Sequence, residues 1–350
     1  MFSQLEHWVG LIVVIALIAY ALTGGADFGG GVWDLFARGP SAKAQRNVIK
    51  DAIAPIWEAN HVWLILVIVL MFVCFPKAFA LLSTALHIPL TIMLFGIVLR
   101  GSAFVFRSYD SQNDATQRKW SLIFSIASLM TPIMLGISLG AVVSGQIRPG
   151  LYEPSATMSF TKAYISPWLT TFSVFLGFYI VLLFSFLAAV YLTLESKNEE
   201  IQEVFRKRAL VTGVLVGVLA WVCVFLARSG APVLYKGLTQ SSWSIPFQLI
   251  VGLVAGATLF LLWKRKYGWA RFSAMAQLTL IVGGWGLSQF PYLIVPDYTV
   301  MNAAAPHTVL KPVIWVLVLG TPILLPSFWY LYNIFKGQQE EAHIDSSKTM

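Results

Sequence analysis

Apolar runs about twenty residues long return from one end of this chain to the other, and nothing else constrains its fold as strongly. About 20 apolar residues in a helix cross the hydrocarbon of a bilayer. Nine such runs can be drawn, near 8–36, 53–75, 78–100, 119–144, 166–194, 208–228, 243–263, 271–293 and 312–335. Charged residues make up only 11% of the chain, against about 25% in soluble domains. Barrel strands alternate polar and apolar residues, and these runs do not. The expected fold is therefore all-α: a polytopic membrane protein of nine transmembrane helices, arranged as two four-helix bundles plus one peripheral helix. Residues 1–336 form one transmembrane domain. Residues 337–350 form a polar tail, expected to be unstructured.

Orientation follows from Lys and Arg. Eighteen fall in one set of loops and the tail, including Arg38, Arg46, Lys50, Arg100, Arg107, Arg206 and Lys264. Six fall on the opposite side. The excess marks the cytoplasmic face, so the N-terminus is expected outside and the C-terminus inside. The formal charge of +8 is thereby a topology signal, and no nucleic-acid partner is expected. Residues 8–22 lack the positive leading segment of a secretory signal and read as a mature first span. Trp8, Trp120, Trp243 and Trp263 fall near span ends, as in an aromatic belt. Cys74 and Cys223 lie in apolar runs without CxxC or CxxCH. A disulfide framework, a zinc site and covalent haem attachment are not expected.

Ionisable residues inside these runs cost roughly 2.5–3.5 kcal/mol even on lenient insertion scales. The run APIWEANHVWLI, residues 54–65, carries Glu58 and His61, which three-residue spacing puts on one helix face. The first run ends GGADFGGGVWDLF, residues 24–36, with Asp27 among glycines. Gly25 and Gly29 have the spacing that lets helix backbones approach closely. Asp27 lies roughly 16 Å of helix before Arg38, and Glu58 roughly 12 Å after Lys50. The two acids then sit at similar depth on the cytoplasmic side. Carboxylates out of water and near one another can be tuned to exchange protons near neutral pH. One reading is a proton relay from the cytoplasm. The other is an acid hydrogen-bonded across a helix interface to Asn60, Thr23 or a carbonyl. His61 and His87 have no second ligand at metal spacing, so no metal site is expected. His61 reads as a relay or hydrogen-bond partner. Trp57 and Trp63 could pack a flat ring. In the eighth run, GGWGLSQFPYLIVPDYT, Ser288 and Gln289 are either interhelical glue or pocket lining, and Pro291 should kink or end the helix.

Three segments together resemble subunit II of cytochrome bd-type ubiquinol oxidases: GGADFGGGVWDL, AIAPIWEANHVWLI followed by FPKAFA, and GWGLSQFPYLIVPD. The resemblance covers nearly the whole chain. It implies a heterodimer in the bacterial inner membrane with a haem-carrying subunit I, with small single-helix accessory subunits in some members. The complex oxidises quinol and reduces dioxygen to water, separating charge. Haem b and haem d types belong to subunit I, and this chain is expected to carry none. The family assigns an acid at the Glu58 position to a proton path, and Trp57 lies where some members hold a structural quinone. The chain departs from members that carry TDGFD where it has Thr23-Gly24-Gly25-Ala26-Asp27, and Asp-Gly-Asn where it has Glu58-Ala59-Asn60. Two other classes stay open. A proton-coupled secondary transporter would use Asp27 and Glu58 as coupling acids. A purely structural subunit would use Glu58 only as a helix contact.

Overall fold

The computed structural model describes the backbone of residues 4–53, 57–109, 114–152 and 158–348. The side chains of 57–59, 107–109, 114–115, 332–333 and 335–348 lie outside the described residues. Helices dominate, as they must where no water can satisfy backbone N–H and C=O groups. In chain order they are α1 (Leu5–Leu35), α2 (Ala42–Ile53), α3 (Trp57–Cys74), α4 (Pro76–Ala85), α5 (His87–Tyr109), α6 (Asp114–Ser144) and α7 (Phe160–Tyr164). There follow α8 (Thr171–Glu195), α9 (Glu199–Gly230), α10 (Pro232–Gln240), α11 (Ser244–Trp263), α12 (Tyr267–Gln289) and α13 (His307–Lys348). A small antiparallel hairpin, β1 (Tyr292–Ile294) and β2 (Tyr298–Thr299), separates the last two.

Among the described residues, seven helices are long and apolar enough to cross a membrane, or eight if the bent pair α3–α4 counts as one span. Helix α12 lies where the sequence predicts another span, but its composition is more polar. The predicted run 78–100 is broken at Leu86, between α4 and α5, and a sharper bend precedes it. Pro76 occupies the first turn of α4, where its missing N–H is no loss, and α4 turns from α3 by 118°. The freed Cys74 carbonyl accepts the Ala305 N–H at 2.8 Å. The charged segment 195–208 forms the short turn after α8 and the first turns of α9. Asn198 accepts the N–H groups of Glu200 and Ile201, an N-cap from which α9 runs unbroken into the apolar part. Pro291 ends α12 as expected, and the hairpin beyond it is tied to α6 by Val295 N–H donating to Val142 O at 3.2 Å. The backbone of α13 stays helical through the polar tail to Lys348, not unstructured.

Helix α1 is central and packs against α3, α6, α8 and α12. Gly29 makes the contact with α8 possible. A Cβ there would lie 2.0 Å from the Phe184 carbonyl oxygen, so any larger residue would force the backbones apart. The spacing-based expectation of close packing at these glycines is met on this interface.

Candidate functional site

Asp27 is buried in α1, and its Oδ2 accepts the Asn60 Nδ2–H of α3 at 2.8 Å. One of the two sequence readings thus names the right partner, while Thr23 turns back onto its own helix and donates to Ala19 O. The second partner is Arg100, which the sequence reading places in a loop. Arg100 does not lie in a loop. It sits within α5, only 2% exposed, with Nη2 3.5 Å from Asp27 Oδ2. The apolar run LFGIVLRGSAFVF continues on both sides of it. An arginine inside an unbroken apolar run, rather than at its edge, was the available signal.

The guanidinium is held on several sides. Its Nε donates to Ser128 Oγ of α6 at 3.2 Å. Its Cζ lies 4.9 Å from the centroid of the Phe28 ring and 5.1 Å from that of Phe124, a desolvated cation–π arrangement. A buried pair recovers its desolvation cost only with such added contacts. Around it the polar groups are not all satisfied. Tyr20 Oη, His61 Nδ1 and Arg100 Nη2 are buried without a hydrogen-bond partner. The rings of Tyr20 and Phe28 stand 6.2 and 6.4 Å from that of His61. Each unmade bond of this kind costs about 1–3 kcal/mol.

A second buried acid shares the same stripe of α1. Asp34, 1% exposed, follows Asp27 by two helical turns, roughly 10 Å. Its Oδ2 accepts Ser121 Oγ–H at 2.7 Å and Ser125 Oγ–H at 3.2 Å, both from α6. Its Oδ1 is 4.0 Å from Arg46 Nε on α2, a side chain 40% exposed. Gly31 lies between the two acids, and a Cβ there would fall 2.1 Å from Ser128 Oγ. The missing side chain is what lets Ser128 seat against α1. Sequence reasoning passed over Asp34 and this serine row, although Ser121, Ser125 and Ser128 recur at spacings of four and three, one helix face.

Other predicted residues fall differently. The side chains of Glu58 and Trp57 lie outside the described residues, although α3 carries both on helical backbone. His87 is exposed, its Nδ1 2.9 Å from Thr84 O and its ring against Tyr164. Trp63 stacks on Phe328. Ser288 donates to Gly284 O within its own helix and Gln289 to Leu293 O, so neither bridges helices through its described bonds. Cys74 and Cys223 are free and buried. Among the described residues no group of three or more His, Cys, Asp or Glu could hold a metal ion.

The sequence profile of the family described as cytochrome bd terminal oxidase subunit II matches residues 5–335. A putative cytochrome bd menaquinol oxidase subunit II of Bacillus subtilis strain 168 is 28% identical over 90% of this chain and 91% of its own length. The cytochrome bd-I ubiquinol oxidase subunit 2 of Escherichia coli K12 is 23% identical over 93% of each. Among solved structures, the bd oxidase from Geobacillus thermodenitrificans contains a chain that superposes with a TM-score of 0.71 at 22% identity. That match covers 95% of this chain and 99% of the other, and it shows a shared fold.

Proposed function

This chain belongs to the cytochrome bd terminal oxidase subunit II family, and from that membership we propose that it works beside a haem-carrying subunit I in a quinol oxidase. Two quinols give up four electrons and four protons, and one dioxygen takes up four of each to become two waters. The haems, of b and d type, are assigned to the partner. That assignment is what family membership implies. Of the two histidines of the apolar runs, His87 is turned to Thr84 on the surface, and the ring of His61 lies against Tyr20 and Phe28. When bound in the partner, haem supplies the electron transfer and oxygen chemistry. This chain's share is to hold the complex together and to carry protons.

The Lys- and Arg-rich end of the bundle faces the cytoplasm in this proposal. Protons pass the acids Glu58 and Asp27 toward the partner, with His61 as a relay or hydrogen-bond partner. What carries the reading is the concentration of unmet polar capacity around Asp27: a buried ion pair with two further buried polar atoms nearby, Tyr20 Oη and His61 Nδ1, that lack hydrogen-bond partners. Packing alone gives no reason to collect such costs in one place. A structural quinone near Trp57 belongs to the same proposal. The transporter alternative finds less support. Transporters break their spans at the coupling site, whereas the break here, at Phe75, lies roughly 22 Å along α3 from Asn60.

Glu58→Gln keeps the shape and removes the titrating group. In the intact complex it is expected to retain the haem spectrum and lose most quinol-driven oxygen consumption. Unchanged turnover with normal assembly would rule out the relay and leave a structural role for Glu58.

A further inference from the structure

We propose that Asp34 is a proton-collecting acid at the cytoplasmic mouth of the path, feeding Asp27 along the row Ser121, Ser125 and Ser128. This rests on the proton-path reading above and adds a residue that neither the family resemblance nor the relatives assign.

The position of Asp34 is costly in two ways. It is 1% exposed, and it sits in the last turn of α1, where the helix dipole disfavours negative charge. A purely structural need could be met more cheaply. An asparagine would accept the Ser121 and Ser125 hydroxyls as well, without a charge. An acid at this place does what an asparagine cannot: it pairs with Arg46 and can take and release a proton. Arg46 supplies the link to water. Its side chain is 40% exposed and its Nε is 4.0 Å from Asp34 Oδ1. Charged groups of the same region among the described residues include Arg100 on α5, beyond Ser128, and Arg208 on α9, which donates to Phe36 O and Gln45 Oε1.

The oxygens that follow are arranged in order. Ser121 and Ser125 donate to Asp34, and Ser128, one turn further along α6, receives Arg100 Nε–H and donates its own proton to Phe124 O, so the last step of the row needs that hydroxyl to turn toward Asp27. Gly31 clears the space for Ser128 between the acids. Neighbours at these spacings have Cβ atoms about 5–6 Å apart, which one bridging water spans. In each transfer Asp34 gains a proton from the cytoplasmic side. Its O–H bond then breaks as one forms on the next oxygen of the row, and an O–H bond forms at Asp27. Asp34 returns to the anion, each serine hydroxyl gives up one proton as it takes another, and Asp27 becomes the neutral acid until its proton passes on. Arg100, which cannot give up its proton, orients the row and holds Asp27.

The test uses the intact oxidase complex in proteoliposomes with excess quinol. Asp34→Asn is expected to keep the reduced-minus-oxidised haem spectrum and slow oxygen consumption by about tenfold or more. The alkaline limb of its pH–rate profile should move to lower pH. Asp34→Glu, which restores an acid, should recover much of the rate. A wild-type rate and pH profile for Asp34→Asn, with Glu58→Gln slow, would overturn the proposal while leaving the proton-path reading intact. Both variants at wild-type rate would overturn that reading too. Should Asp34→Asn fail to assemble, Ser125→Ala is measured in its place. A slowed rate with a shifted alkaline limb supports the row, and an unchanged rate and profile overturns it.

Discussion

The two halves of the membrane bundle bury different kinds of polar group. In α1, α3, α5 and α6 the buried polar residues include Asp27, Asp34, Asn60 and Arg100, together with Ser125, Ser128 and Thr131. In α9, α11 and α12 the buried polar groups of the described residues are neutral: Thr212, Ser244, Thr258, Gln277, Ser288 and Gln289. There the serines and threonines mostly close on their own helix, as Thr212 does on Arg208 O and Ser288 on Gly284 O. One cross-helix pair, Thr258 with Ser273 at 2.7 Å, involves two hydroxyls. Both halves solve the same packing problem in the same solvent. The second does so without a buried charge, so packing does not require one. The charges of the first half need another explanation, and proton delivery supplies it.

Arg100→Leu should have the largest effect on this contrast. It leaves Asp27 buried without its counter-charge, at a cost of about 3–5 kcal/mol. Little assembled complex is expected on size-exclusion chromatography. Replacing both partners, Asp27→Leu with Arg100→Leu, should restore assembly in part but not turnover. Equal assembly of the single variant and the wild type would show that the pair is not what holds α1 to α5. Next comes Gly29→Ala. Its Cβ would meet the Phe184 carbonyl, and separating α1 from α8 should cost about 1–3 kcal/mol. Thermal unfolding in detergent reads this as a lowered midpoint; a midpoint equal to wild type would mean the helices can slide apart freely. The smallest effect belongs to the neutral half. Thr258→Val removes one hydroxyl of a solitary pair and should cost about 0.5–1.5 kcal/mol, with turnover per haem unchanged. A large loss of turnover there would erase the contrast between the halves.

Much of this was legible in the sequence, for identifiable reasons. The spans announce themselves because lipid tolerates little but apolar side chains. Asp27 stands out because an acid in such a run is rare, and Asn60 because it lies two residues beyond Glu58 on the neighbouring span. Arg100 was misread because Arg107 and Arg118 follow it closely, so all were counted as loop charges. Only the helix register shows that α5 continues past it to Tyr109. Asp34 was passed over because α1 is about to end there. Its burial depends on α6 folding back with three serines on one face, a tertiary fact. The bend at Phe75 had its signal in Pro76, but a proline alone does not give the angle. Glu58 and Trp57 were legible only through their motif.

The most direct test of a working oxidase is a reduced-minus-oxidised optical spectrum of the protein purified from its native membrane in mild detergent. The expected result is haem bands of b and d type with a larger co-purifying chain. A single folded chain without haem would contradict it.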